Sequence, residues 1–244
     1  MPGIMEIAIV LALCTVLSLI SLKFGLLTAS GSAASFAMGA IIGIFGSIGM
    51  LLLLVIFALM GFLVTKWRFE AKKARGLQEG RRGERTHRNV IANGLVPALI
   101  VVIAFLLGQE GSVLTSLLFL CALAVAAADT TASELGVLSP DAYLITSLRK
   151  VPAGTDGGIS TYGTLCALLA AAFVAVVGWL LVLPGTPMDW RVLVPMSMGV
   201  FGCMVDSVIG ATLETWRMMS KLTNNISSMT IGTLTGLAIL ILSA

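Results

Sequence analysis

Charge is what this sequence has least of. Only 12 Asp and Glu and 15 Lys and Arg occur among 244 residues, 11% of the chain, against 58% hydrophobic residues. Soluble domains carry about 25% charged residues, and a chain this poor in charge cannot cover a water-facing surface. Histidine is almost missing: His87 is the single one and lies in a basic stretch, which argues against histidine-based nucleophilic catalysis. The four cysteines, Cys14, Cys121, Cys166 and Cys203, stand singly in apolar runs without Cys-x-x-Cys spacing. They read as small buried hydrophobes, not as a disulfide framework or zinc site. No basic region precedes the first apolar run, so Ile4–Leu22 reads as a retained span and not a cleaved signal. The net charge of +3 comes with no nucleic-acid motif, so nucleic acid is not expected as a partner.

What is abundant is apolar sequence in repeated blocks. A membrane span needs about 20 apolar residues. Ile4–Leu22, Val90–Leu107, Val113–Ala128, Tyr162–Leu183, Val192–Leu213 and Ile226–Leu242 meet that need. The stretch Ala33–Val64 is too long for one ordinary span and too short for two full ones. Gly46 and Gly49 suggest two short helices with a tight turn; one long tilted helix is the alternative. The expected fold is an all-α, polytopic transmembrane bundle of seven or eight spans, forming a single integral membrane domain over residues 1–244. Gly39 with Gly43, and Gly232 with Gly236, have the four-residue spacing of close helix packing in lipid.

Basic residues set the orientation. Nine of them crowd the loop 66–88: Lys66, Arg68, Lys72, Lys73, Arg75, Arg81, Arg82, Arg85 and Arg88. Arg149 and Lys150 fall in a second loop, and Arg217 and Lys221 in a third. These three loops share one side, which is expected to be cytosolic, and eight spans would add Lys23 to it. The loop 66–88 reads as a topology signal on a solvated helix extension, or as a contact with lipid headgroups.

Three polar clusters lie on that side. The first is Asp129-Thr130-Thr131-Ala132-Ser133-Glu134, just after an apolar span. Two acids and three hydroxyls suit a divalent cation with oxygen ligands; a helix end in water is the plainer alternative. The second is Val151-Pro152-Ala153-Gly154-Thr155-Asp156-Gly157-Gly158-Ile159-Ser160, behind Arg149 and Lys150. Glycines let backbone N–H groups close around an anion, and a helix opening near Ser160 would point its N-terminus there. The third is Asp206-Ser207 with Gly210 and Glu214, a four-residue recurrence that begins at Gly202. Asp206 lies about 21 Å along its span from Val192 at roughly 1.5 Å per residue. An intramembrane acid is costly enough to need an interior partner. An anion cradle and carboxylates in one site repel, and Mg²⁺ would reconcile them by bridging carboxylate and phosphate oxygens. Asn93-Gly94 and Asn224-Asn225 are further candidates for a headgroup or nucleotide. Asn225 also reads as a helix N-cap before Ile226.

Four motifs in order resemble the membrane family called domain of unknown function 92, which includes plant and cyanobacterial phytyl-phosphate kinases. They are Arg88-Asn89-Val90-Ile91-Ala92-Asn93-Gly94, Ala128-Asp129-Thr130 through Ser133-Glu134-Leu135-Gly136, Val151 through Gly158, and Asp206-Ser207 with Gly210-Ala211-Thr212. One departure is Glu214, where the family often carries Gln. The resemblance implies a kinase that passes a phosphoryl group from CTP or another nucleoside triphosphate to an isoprenyl monophosphate. Asp129, Glu134 and Asp206 would then hold Mg²⁺. Lys150 and the Gly154, Thr155, Asp156, Gly157, Gly158 and Ser160 segment would hold the triphosphate, with Asn93 and Asn225 contributing to binding. The lipid tail would lie between spans in a prokaryotic plasma membrane, with its phosphate at the cytosolic face. A CTP-dependent lipid-phosphate cytidylyltransferase would use the same site. A transporter is the third reading, although polar clusters confined to one side suit alternating access poorly.

Overall fold

The computed structural model describes residues 3–243. Its helices are α1 (Ile4–Lys23), α2 (Ala29–Phe45), α3 (Ile48–Lys66), α4 (Phe69–Ala74), α5 (His87–Leu106), α6 (Val113–Gly136), α7 (Thr161–Val182), α8 (Leu193–Ile209) and α9 (Lys221–Leu242). Seven are long and apolar enough to cross a membrane, α8 being counted with its flanking turns as Trp190–Glu214. The eighth apolar helix, α2, has 17 residues, about 26 Å at ~1.5 Å per residue, the lower limit for a span. The chain is a polytopic helical membrane protein.

The long apolar stretch Ala33–Val64 is two helices. They break at Gly46, where a Cβ would lie 2.6 Å from the Ile42 carbonyl oxygen and 2.7 Å from Met50 Sδ. Ser47 then caps α3, its Oγ accepting from Met50 N–H at 3.1 Å. The α1–α2 linker consequently lies at the same end as the basic loop. Thr28 N–H donates to the Arg85 carbonyl and Arg85 N–H to the Leu26 carbonyl, each at 3.0 Å.

At the centre stands α6, packed against α3, α5, α7, α8 and α9. Every residue from Phe119 to Ala128 is buried, and the alanines among them let neighbouring backbones approach. Gly199 and Gly202 of α8 meet α6 at Ala124 and Val125, where any side chain would collide. Outward-facing leucines such as Leu59, Leu63, Leu169 and Leu180 are exposed, as a lipid-facing surface requires. All four cysteines are free and buried.

Both glycine pairs fall at helix crossings. A Cβ on Gly43 would meet Val10 Cγ1 at 2.6 Å, and one on Gly39 would meet Cys14 Sγ at 3.0 Å, so this pair seats α1 on α2. Gly232 and Gly236 seat α9 on α6 and α8, against Val125, Cys121 and Met198.

One element is not helical. The segment between α6 and α7 forms a small antiparallel sheet of β1 (Ala142–Leu144), β2 (Lys150–Val151) and β3 (Gly158–Ile159), in the order β2-β1-β3. Tyr143 pairs with Lys150 on one side and Ile159 on the other.

Gly43→Leu should loosen α1 from α2 and lower stability by about 1–3 kcal/mol, the usual cost of overpacking. Ala12→Leu, on the exposed side of α1, should not. Thermal unfolding in detergent compares the two.

Candidate functional site

At the basic end the helices splay into a cleft made of two adjoining cavities of about 350 and 360 Å³. Glu79, Asp129, Ser133, Glu134 and Lys221 line both. One arm is cationic, with Arg85, Arg88, Asn89, Asn93 and Asn225. The other runs along the glycine segment Ala153–Ser160 and past Asp206, Ser207, Gly210, Glu214 and Asn224.

The two aspartates come from different helices. Because α6 continues past Ala128 to Gly136, Asp129 is carried into the cleft on a helix and not released into solvent. Its Oδ2 accepts from Asn225 Nδ2 at 3.5 Å. Asp206, on α8, accepts from Ser228 Oγ through Oδ1 at 3.2 Å. The two carboxyls lie close enough to act on each other, and Lys221 stands among Glu79, Asp129, Asp206 and Glu214.

The expected four-residue ladder from Gly202 to Glu214 is interrupted. Gly210–Glu214 forms a π turn, so Thr215 N–H reaches back five residues to the Gly210 carbonyl. Such turns often occur at functional sites. Here it leaves Glu214 beside Asn224, whose Nδ2 donates to Glu214 Oε2 at 3.2 Å and to the Asp206 carbonyl at 3.1 Å.

Asn225 is not an N-cap. The last helix begins at Lys221, five residues before Ile226, and Ser220 caps it by accepting from Thr223 N–H at 3.3 Å. Asn224 and Asn225 therefore lie within the helix and line the cleft.

Glu134 does not join the aspartates. Five residues, about 1.4 turns at 3.6 residues per turn, place it on a different face of α6 from Asp129. Its Oε2 accepts from Lys72 Nζ at 2.6 Å and its Oε1 from Thr65 Oγ1 at 2.7 Å. Arg85 Nη2 lies 3.8 Å from Oε1. Lys72 is wholly buried (0% exposed), although its place in the basic loop suggested a solvated residue. Among the described residues no three His, Cys, Asp or Glu side chains converge to hold a metal ion. The expected trio of Asp129, Glu134 and Asp206 thus reduces to the aspartate pair. The pair fits Mg²⁺, which typically takes one or two carboxylates and completes its shell with water and substrate phosphate.

The glycine segment is shaped by close approach. Gly157 (φ 73°) presses on the end of α8, where a Cβ would meet Ala211 and lie 2.6 Å from the Ser207 carbonyl oxygen. Gly154 (φ 83°) lies against Leu77. Two of its N–H groups are engaged internally: Gly158 donates to the Thr155 carbonyl at 2.8 Å and Thr155 to the Pro152 carbonyl at 3.3 Å. The anion cradle expected over the whole segment is therefore reduced at Thr155 and Gly158. Asp156 lines the cleft. Ser160 caps α7, its Oγ accepting from Gly163 N–H at 3.0 Å.

Lys150 is outside the cleft lining. Strand β2 presents it to Asp141, with which it forms an exposed ion pair, and the hydrogen-bonded Asp141 carboxylate holds its ammonium above the usual lysine range. The cations that do line the cleft are Arg85, Arg88 and Lys221.

Residues 12–240 match the family described as integral membrane protein DUF92. The chain belongs to that family. Among its relatives, a membrane protein of Methanocaldococcus jannaschii is 33% identical over 237 residues, covering 94% of this chain and 92% of its own. Protein VTE6, chloroplastic, of Arabidopsis thaliana is 34% identical over 206 residues, covering 82% of this chain and 60% of its own. A membrane protein of Synechocystis sp. is 32% identical over 192 residues, covering 78% and 72%. No solved structure matches.

Several residues of the DUF92 cleft escape a reading by composition. Arg85, Arg88 and Lys221 look like topology signals, and Glu79 and Asn89 are isolated polar residues in loops or at a helix start. The available signal was adjacency: Arg88-Asn89 opens the first family motif, and Lys221 precedes the Asn pair.

Removing one partner of a buried ion pair leaves an unpaired charge. Lys72→Met should therefore cost about 3–5 kcal/mol, and Lys72→Met with Glu134→Leu should recover most of it. Chemical denaturation in detergent gives both values, and no recovery in the double variant would show that Lys72 acts otherwise.

Proposed function

We propose that the protein is a kinase that transfers the γ-phosphoryl group of CTP or another nucleoside triphosphate to an isoprenyl monophosphate, giving the diphosphate. The observation that carries this is the division of the cleft into two arms that meet at Asp129. A phosphotransferase with a phosphate acceptor must hold two anionic substrates end to end. The cationic arm suits the acceptor phosphate, through Arg85, Arg88 and Lys221. The glycine-lined arm suits the donor nucleotide. The resemblance to a family that includes phytyl-phosphate kinases supplies the isoprenyl group.

In this reaction an acceptor phosphate oxygen forms a bond to the γ-phosphorus. The bond from that phosphorus to the β–γ bridging oxygen breaks, and nucleoside diphosphate leaves. The attacking oxygen is already anionic, so no strong base is required, and the absence of a catalytic histidine is no handicap. The protein's contribution is positioning and charge. Arg85 and Arg88 hold the acceptor phosphate, and Asn225 and Ser228 fix the aspartate carboxyls from α9. Asp129 and Asp206 are the residues that would hold Mg²⁺. Bound there, the ion would neutralise charge on the phosphate oxygens. The crowding of basic loops at this end supports a cleft on the cytosolic face. The archaeal and cyanobacterial relatives support a prokaryotic plasma membrane.

Purified protein with geranylgeranyl phosphate, Mg²⁺ and CTP should form the diphosphate, and γ-label but not α-label should pass to the lipid. Retained α-label would instead mean nucleotidyl transfer. Asp129→Asn and Asp206→Asn should each lower turnover about 100-fold or more, the scale of losing one fixed charge-stabilising group. Lys150→Ala should leave it unchanged. Full activity in both aspartate variants would overturn the assignment.

A further inference from the structure

A third cavity lies within the membrane-spanning region. It has about 190 Å³ and is walled almost entirely by apolar side chains of α1, α2, α3 and α5, among them Leu17, Met38, Ala58, Phe62 and Val90. Along α3 it runs from Leu51 to Phe62, about 16 Å at ~1.5 Å per residue. Helix α1 packs on α2, and it meets α3 where Val10 and Cys14 touch Leu51. Toward the basic end the groove separates α1 from α3.

Its polar end is shared with the cationic arm of the cleft, since Arg85, Asn89 and Asn93 line both. Arg85 is held rigidly there. Its backbone is strapped to Leu26 and Thr28, and its Nη2 donates to Thr65 Oγ1 at 3.0 Å. Its Nε is buried and has no hydrogen-bond partner among the described residues, and the same holds for Asn93 Oδ1. Asn93 is more than nine-tenths buried (7% exposed). A buried donor or acceptor without a partner is costly. These two point to a ligand that brings an anion for the guanidinium, and a P–OH or bridging water for the amide. An apolar slot ending on such groups is complementary to a molecule with one slender tail and a phosphate head.

We propose that this groove holds the tail of a single-chain isoprenyl monophosphate, with its phosphate seated against Arg85 and Arg88 and directed along the cationic arm toward Asp129. The proposal rests on the phosphotransfer reading and adds the location of its acceptor. One chain fills the slot, since drug-sized ligand pockets of about 300–1,000 Å³ are already larger. A diacyl phospholipid would leave a second tail outside. Entry is lateral, between α1 and α3.

Photo-cross-linking tests it directly. The probe is a geranylgeranyl monophosphate analogue with a diazirine at the tail end, added to the full protein in nanodiscs, with labelled peptides mapped by mass spectrometry. Label is expected in residues 14–27, 35–39 and 51–62. Ala58→Trp and Ser18→Trp, which fill the groove from opposite walls without touching the polar cleft, should each reduce labelling about tenfold, some 1.4 kcal/mol of binding. Gel filtration confirms that at least one of the two is folded. Label elsewhere, no capture by the wild type, or equal labelling by a diazirine phosphatidic acid would overturn the proposal. A groove-labelled protein that forms no diphosphate would sink the kinase reading and leave the groove standing. Diphosphate formation with the tail labelled elsewhere would do the reverse.

Discussion

Lys72 and Glu134 meet at 2.6 Å with almost no access to water, and much of the basic end is arranged around that contact. Two charges withdrawn from water are tolerated only when their geometry is good and their remaining hydrogen-bonding capacity is met. Both conditions hold. Lys72 Nζ also donates to the Val64 carbonyl at 3.0 Å, and Thr65 donates to the other carboxylate oxygen. The pair consequently ties the end of α3, the short helix α4 and the extension of α6 into one unit. Arg85 is recruited to the same unit through Thr65. Without it, the loop 66–88 would be held mainly by the strap from Arg85 to Leu26 and Thr28, and the floor of the cationic arm would lose its support from α6.

The second constraint is the closeness of the helices around α6. Alanine along α6 and glycine at 199 and 202 bring α8 against it, which sets the depth at which Asp206 faces Asp129. The π turn at Gly210–Glu214 then ends the span without a sharp break. Asn224 meets both the Asp206 carbonyl and Glu214 from the facing helix. The aspartate pair is a product of packing between three helices, and each of its members carries a hydrogen bond from α9. Carboxyls held this way require little reorganisation when charge arrives between them, which is how electrostatic preorganisation acts.

The arms of the cleft differ in the groups they present. The cationic arm presents the side chains of Arg85, Arg88 and Lys221. The glycine arm uses backbone, and part of that backbone is already committed to its own turns. In the proposed reaction, division of this kind would separate the two phosphate-bearing substrates and meet their mutual repulsion by different means on each side. The apolar groove meets the cationic arm alone, which in the proposed reaction would link the hydrocarbon interior to the acceptor phosphate and not to the donor.

Much of the architecture was legible in residue order. Hydrophobic blocks about one bilayer long announce helices whose backbone polar groups must be satisfied within each segment. The basic loops announce a common side, and the glycine pairs announce crossings that the structure places at α1–α2 and α9–α6–α8. The break at Gly46 was foreshadowed by glycine, and its reality depended on the collision a Cβ would make there. What stayed hidden was the partnership of the charges. Glu134 looked like a partner of Asp129, yet helical geometry turns it away and Lys72 claims it. Lys150 stood beside the glycine segment in sequence, and a two-residue strand delivers it to Asp141 on the outside. Lys221 and Asn225 lay at a helix edge whose true start, fixed by the Ser220 cap, puts both within the helix and beside the cleft. Local sequence determined the spans, their sides and their small-residue contacts, because those follow from hydropathy and spacing along a single segment. Only the tertiary structure decided which charge faces which, because a side chain's partner depends on helix rotation and register between segments far apart in the chain.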